Sequence, residues 1–584
     1  MEDRIRVTKR RRASGRNWAM KAGIVIGILG IMSIIGILLA KKYMPTSRME
    51  DLNEHYQVDE DKIMLILQNN PYEKQGLYLN GRVYIDIDTV TKYFNPRIYW
   101  DSNENLLIYT TATEVIKAEV GSQDYYINKS KSSVDYQIVK TNGDNAYVAL
   151  DYIKLYSNLE YEVFENPNRV VFTYKWNEEY EYALANKKTV AVRKSTGIKY
   201  PILTKLAKGD KVLFVDLEQG EPDHEQFVKV MTTDGIMGYV DRKHLTERTS
   251  EVLKNDYKEE VYPSISKDYE INLVWHQVAG QGGNEDLLNL LSKTKGVTTV
   301  APTWFTVADE KGGLTSYASE TYVTRAHNAG VEVWAVCGDV DAQGVSMYEL
   351  LSHTSRRQKL INNIIANAIK YNLDGINIDF EKITQDAGPH FVQFIRELSI
   401  KCRSNGIILS IDNYAPGYTG YYNRKEQGIV ADYVICMAYD EHTGASEVSG
   451  SVASYDFVKD AIENTLKEVP AEKTIIGVPF YTRRWKETID EDGTLQITSD
   501  AYGMQQAINV LTDYGVEPVW DDMTKQYYGE YERDGSIYKI WLEEDKSIEA
   551  KMELINEANV AGIAAWKLGL EKASVWNIIV KYVN

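Results

Sequence analysis

Asp374-Gly375-Ile376-Asn377-Ile378-Asp379-Phe380-Glu381 is the stretch on which the reading of this chain turns. Its residues alternate: Ile376, Ile378 and Phe380 fall on one face of an extended strand, and Asn377, Asp379 and Glu381 on the other. Leu360, Ile361, Ile364, Ile365, Ala368 and Ile369 recur ahead of it at helical spacing. Three polar side chains on one face of a buried strand are expensive unless they have partners or a chemical task. A strand end lined in this way suits the C-terminal mouth of a β/α barrel, where catalytic groups collect. A solvent-facing edge strand would also carry acids in a row. The fully apolar opposite face and the amphipathic helix before it weigh against that reading.

Outward from this stretch, apolar runs alternate with helical patterns from about residue 266 to the end of the chain, the order of a parallel barrel. Candidate strands are 271–275, 298–302, 331–336, 375–381, 407–412, 433–439, 475–480 and 561–567. Eight such strands predict an α/β fold of the TIM (β/α)8 type. The long gap at 486–545 predicts an insertion with strands and helices of its own. Three cysteines, Cys337, Cys402 and Cys436, make no disulfide framework, and free buried thiols are expected. No Cys/His cluster has metal-ligand spacing, so neither a metal nor a cofactor is expected.

The central stretch resembles the signature of family 18 glycoside hydrolases, Asp-Gly-x-Asp-x-Asp-x-Glu. Asp374, Gly375, Asp379 and Glu381 match it, and Asn377 stands where most members carry Asp. Met437-Ala438-Tyr439-Asp440 resembles the family's Met-x-Tyr-Asp of strand six. Gly477-Val478-Pro479-Phe480-Tyr481 matches its strand-seven pattern, and Gly562-Ile563-Ala564-Ala565-Trp566 its strand-eight tryptophan. The motifs occur in family order, and the resemblance covers 266–584. It also extends to the insertion, which is similar to the small α+β subdomain that many members place before the last strand.

Glycosidic cleavage needs an acid for the leaving oxygen and stabilisation of an oxocarbenium-like centre. The resemblance makes Glu381 the acid, and burial at an aromatic-walled barrel mouth is expected to raise its pKa. It further implies that the sugar's own N-acetyl carbonyl is the nucleophile. Asp379 then orients the acetamido N–H and Tyr439 hydrogen-bonds the acetamido carbonyl. Asp440 holds sugar hydroxyls, Trp566 floors the ring, and Met437, Tyr481 and Asn377 complete the substrate-binding set. Asn377 cannot titrate, so it is expected to hydrogen-bond Asp379 and to leave Asp379 without one like-charge neighbour. Trp275, Trp304 and Trp334 read equally as sugar platforms or as packing, and His276 and Asp374 as structural residues.

The upstream half reads as separate modules. Residues 22–40 carry no charge and are long enough, at about 1.5 Å per residue, to cross a bilayer core. Arg4, Arg6, Lys9, Arg10, Arg11, Arg12, Arg16 and Lys21 precede them, which predicts a cytoplasmic tail at 1–21 and a single-pass anchor in the cell membrane with the body outside. A cleaved signal peptide shares the basic start, but the span is long for one. Residues 50–176 form a Tyr-rich α/β module with a near-repeat of strand, short helix and hairpin. It is similar to the copper-amine-oxidase N-terminal-like domain of bacterial envelope proteins, and implies no copper. Residues 186–247 resemble a small all-β bacterial SH3-type barrel, ending in Gly238-Tyr239-Val240, and 248–265 read as a linker.

Residues 1–48 hold eleven basic and two acidic residues, leaving −27 for the remainder of a chain whose formal charge is −18. Such an acidic body weighs against a nucleic-acid partner. The function expected is that of a monomeric, membrane-anchored, retaining glycosidase acting on a β-1,4-linked N-acetylglucosamine polymer, with peptidoglycan ahead of chitin because of the envelope-type modules. A carbohydrate-binding protein or an envelope tether with an inactive barrel is the alternative, against which Glu381 stands.

Overall fold

Apolar residues at every second position close the C-terminal part of the chain into a parallel barrel. The computed structural model describes residues 14–143, 145–215 and 224–583. The barrel strands are β1 (Ile271–His276), β2 (Thr299–Val307), β3 (Glu332–Gly338) and β4 (Gly375–Asp379). They continue with β5 (Ile408–Tyr414), β6 (Tyr433–Met437), β7 (Thr474–Pro479) and β8 (Gly562–Trp566). Each pairs in parallel with the next, and β8 also pairs with β1, so the sheet has no open edge within the barrel.

Alternation sorts the side chains. Ile376, Ile378 and Phe380 point outward and join Ile361, Ile364, Phe391 and Phe394 of the surrounding helices in one buried cluster. The helices concerned are Thr354–Lys370 and Gly388–Ser404. Ile271, Leu273, Trp334, Ile408, Tyr433, Ile435 and Ala564 point inward and fill the lower barrel. Closure is tight at β8, where a Cβ on Gly562 would lie 2.1 Å from the Ile271 carbonyl oxygen. All three cysteines are free and buried.

Between β7 and β8 the chain leaves the barrel. Tyr481–Ile489, Leu495–Gly503, Val519–Asp521, Gln526–Arg533 and Ser536–Leu542 form a five-stranded antiparallel sheet. Helix Met504–Asp513 covers one face of it through Ala507 and Leu511.

Upstream, the chain divides into two compact units. One comprises 1–96 and 140–257, the other 97–139 and 258–584. The first holds two seven-stranded sheets, a mixed one from Lys62–Leu67 to Arg169–Thr173 and a second running from Glu179–Leu184 to Thr249–Val252. The near-repeat is present as strand, helix and hairpin in both copies, yet its hairpins part company. Glu160–Phe164 and Arg169–Thr173 join the mixed sheet, whereas Ile98–Asp101 and Leu106–Thr110 begin a five-stranded sheet in the barrel's unit. The N-terminal helix runs Ser14–Tyr43, and its Trp18–Tyr43 segment is long and apolar enough to cross a membrane. The predicted basic residues before Ser14 lie outside the described residues.

The five-stranded sheet meets the barrel helices through polar groups. His353 precedes helix Thr354–Lys370 and gives it no side-chain cap. Asp101 supplies one instead, its carboxylate accepting the Thr354 N–H at 2.7 Å. Arg357, fully buried, donates to Tyr99 Oη at 3.1 Å and to Glu397 at 3.2 Å. Asp101→Ala removes a helix cap and strands a buried N–H, so it is expected to lower unfolding stability by about 2 kcal/mol, read by denaturant titration. Asp101→Asn, which keeps an acceptor, is expected to lose less.

Candidate active site

The inward row of β4 meets the inward row of β5. Parallel register sets Asn377 beside Ser410 and Ile378 beside Ile411. Beyond these pairs, Asp379 and Glu381 at the end of β4 and Asp412 and Tyr414 of β5 line a cavity of about 180 Å³. Met437, Tyr439 and Asp440 from the end of β6 close one side of it, and Trp275 and Trp566 the other. Asp379, Glu381 and Trp566 also line a second cleft of about 510 Å³ over the ends of β1 to β3, with Gln277, Tyr317 and Asp341.

Glu381 is held from two directions. Its own N–H donates to Asp339 Oδ1 at 2.8 Å, and the Lys382 N–H donates to Asp339 Oδ2 at 3.0 Å. Its Oε2 accepts the Tyr414 hydroxyl at 2.6 Å. Burial pushes the Glu381 carboxyl above the usual range, the Tyr414 bond pulls it back, and the Asp440 charge adds to the rise. Burial also lifts Asp339, to about 6, against the pull of its two backbone bonds. Glu381 is thus a group that keeps a proton at higher pH than a free glutamic acid and has lost part of its hydration, the properties asked of a general acid.

Asn377 does not do what its position on the strand suggests. It makes no bond to Asp379. Its Oδ1 accepts the Trp275 indole N–H at 3.0 Å, and its Nδ2 donates to Asp412 Oδ1 at 2.7 Å and to Ser410 Oγ at 3.0 Å. Asn377 brings no charge, yet other acids face Asp379. Burial first, then the charges of Asp412, Glu381 and Asp339, hold its carboxyl well above the usual range. Asn377 bonds sideways because side chains on adjacent strands stand about 5 Å apart, closer than the roughly 7 Å between alternate residues of one strand.

The remaining predicted residues divide into those that line the cavity and those behind it. Tyr439 faces Trp275 edge-on at 6.4 Å, and Trp275 lies 6.2 Å from Trp566. Burial keeps the Tyr439 hydroxyl protonated far beyond neutrality. Asp440 has a left-handed backbone, φ 60°, which for a non-glycine residue marks a strained position. Tyr481 does not line the cavity; its hydroxyl donates to Asp440 and its ring abuts Tyr439. Trp304 and Trp334 are buried with their indole N–H groups bonded to Asn284 and Glu332. His276 bonds Tyr322, and Asp374 caps Val333 N–H and His327, both away from the cavity. Asp339, Asp412 and Tyr414 were not singled out from the sequence. Parity along β5 would have aligned Asp412 with Tyr414, but nothing in one sequence shows which row faces Asp379.

Comparison with known proteins gives two family matches, glycosyl hydrolases family 18 over residues 273–571 and the copper amine oxidase N-terminal domain over 62–173. The uncharacterized glycosylase YvbX of Bacillus subtilis is 26% identical over 290 residues, 47% of this chain and 82% of that protein. The cortical fragment-lytic enzyme of Bacillus subtilis is 28% identical over 246 residues, 40% of this chain and 56% of that protein. The C-terminal domain of a putative chitinase from Desulfitobacterium hafniense superposes with a TM-score of 0.50 at 21% identity, covering 54% of this chain and 100% of that domain.

Two variants probe the acid. Glu381→Gln is expected to lower kcat by about 10²–10⁴-fold through loss of the proton donor. Tyr414→Phe removes the hydrogen bond that favours the Glu381 carboxylate, so Glu381 stays protonated to higher pH. The basic limb of the kcat/KM profile is then expected to move upward in pH, with a smaller loss of kcat than in Glu381→Gln.

Proposed function

The chain belongs to glycosyl hydrolase family 18, and from that premise we propose that it hydrolyses β-1,4-linked N-acetylglucosamine polymers of the cell wall, peptidoglycan rather than chitin, by a substrate-assisted retaining mechanism. The observation that carries this reading is the meeting of Glu381, Asp379, Tyr439 and Trp566 around one sugar-sized cavity, from three separate strand ends.

In this mechanism the acetamido carbonyl oxygen of the bound sugar attacks its own anomeric carbon. Glu381 gives its proton to the departing glycosidic oxygen as that bond breaks. The resulting oxazolinium ion carries positive charge, and Asp379 stabilises it by accepting the acetamido N–H. Tyr439 directs its hydroxyl at the acetamido carbonyl, and Trp566 supports the apolar face of the ring. Water then attacks the anomeric carbon from the vacated side, Glu381 takes its proton, and the acetamido group is restored with configuration retained. The basis for peptidoglycan is resemblance: the matched Bacillus protein is named for lysis of cortical fragments, and a copper amine oxidase N-terminal-type module precedes the barrel. The apolar Trp18–Tyr43 helix serves as a membrane anchor that keeps the barrel outside the cell.

The full chain incubated with purified peptidoglycan and with chitin oligomers is expected to release reducing ends faster from the former, and Glu381→Gln to release them at least about 100-fold more slowly. Binding without release by the wild-type chain would overturn the hydrolase assignment in favour of a carbohydrate-binding role. Substrates stripped of their acetyl groups are expected to bind and not turn over, and a thiazoline mimic of the intermediate to inhibit. Rapid cleavage of a deacetylated polymer would remove the substrate-assisted step.

A further inference from the structure

Two carboxylates share the floor of the cavity, and each has an oxygen with no hydrogen-bond partner. Asp379 Oδ1 and Asp412 Oδ2 are both shielded from solvent and both unpartnered. Asp412 is 3% exposed, and its other oxygen is fixed by Asn377. The two residues follow directly on the paired Ile378 and Ile411 of parallel strands, so their side chains leave neighbouring strands on the same inner face. No basic side chain lines the cavity among the described residues. Two charged carboxylates so placed, without a cation or a donor between them, carry both a desolvation penalty and mutual repulsion. A single proton held between them removes the repulsion and leaves one buried charge in place of two.

We propose that Asp412 is the positioning residue of this site: it shares one proton with Asp379 and, when substrate is bound, holds that proton and donates it back as a hydrogen bond that keeps Asp379 an oriented anion. The proton is already held by the pair before substrate binds, passes between the two carboxyl oxygens, and is not consumed. The role rests on the hydrolase reading, in which Asp379 accepts the acetamido N–H. It also explains Asn377. A neutral amide there bonds Asp412 and leaves the Asp379–Asp412 pair with one proton to divide, where a third acid would add a third charge.

The groups facing the pair are all acidic or neutral. Glu381 follows β4, Asp339 follows β3, and Tyr439 follows β6, while Trp275 reaches in from β1. Burial first, and the Glu381 charge after it, lift Asp412 to about 8, with the Asn377 and Trp275 bonds pulling the other way. An acid whose folded pKa lies above its unfolded value loses stability as pH rises between the two. The pair therefore weakens the fold progressively from about pH 4 to about pH 8.

The test uses the full chain with D412A and D412N. D412A removes the donor and is expected to lower kcat/KM by about 10- to 100-fold. D412N offers an amide N–H where the shared proton sat and is expected to stay within about 5-fold of wild type at the pH optimum. Thermal unfolding supplies a readout that needs no turnover. The Tm of D412N relative to wild type is expected to rise from pH 5 to pH 8, because one of the two buried carboxyls no longer ionises. An undiminished rate in D412A, a D412N rate as low as that of D412A, or parallel Tm profiles would each overturn the proposal. If the wild-type chain released no sugar while the Tm profiles diverged as expected, the pair would stand and the hydrolase reading would fall instead.

Discussion

Lateral pairing of β4 with β5 is the constraint on which the site depends. Parallel strands in register put side chains of equal parity next to one another, about 5 Å apart. Here that geometry lays Asn377, Asp379 and Glu381 alongside Ser410, Asp412 and Tyr414. Three polar contacts of the site follow from it: the Asn377 amide to the Asp412 carboxylate, the Tyr414 hydroxyl to the Glu381 carboxylate, and Asp379 beside Asp412. A one-residue slip of β4 would turn Asn377 and Asp379 into the helix layer and away from the cavity.

The same geometry makes the site costly. Acids gathered in an apolar barrel mouth destabilise the fold, and the surrounding packing has to compensate. That support is visible in the lower barrel, where Trp334, Tyr433, Ile435 and Ile475 fill the interior beneath the carboxylates. The outer layer contributes as well, with Phe380, Phe391 and Phe394 in mutual contact behind β4. Asp339 and Tyr414 then fix Glu381, which lies beyond the end of β4. Without these bonds the Glu381 side chain would sample several rotamers instead of one fixed pose.

Arg357 shows that the barrel is not self-contained. It sits wholly buried between Glu397 of one barrel helix and Tyr99 of the five-stranded sheet 98–133, while Asp101 of that sheet caps the helix that carries Arg357. A buried cation is costly without partners, and Arg357 takes Glu397 from one side of this junction and Tyr99 from the other. The sheet is therefore an integral part of the barrel's unit even though it arises far upstream in the chain.

Alternation, motif order and composition determined much of this protein by themselves. The eight strands, their sequence along the chain, the inserted subdomain, the apolar N-terminal helix and the acid-bearing strand all follow from local periodicity, which a single sequence displays. The near-repeat was equally legible as two copies of strand, helix and hairpin. That one hairpin joins the barrel's unit and the other a different sheet was decided by tertiary pairing. So were the partners of Asn377, two of them 33 and 35 residues away on β5 and the third, Trp275, 102 residues away on β1. Periodicity tells which face of a strand a side chain occupies; it does not tell which side chain on the next strand stands opposite, because that depends on strand order, register and closure of the barrel. The charge state of the site is a property of those neighbours, and only the folded chain brings them together.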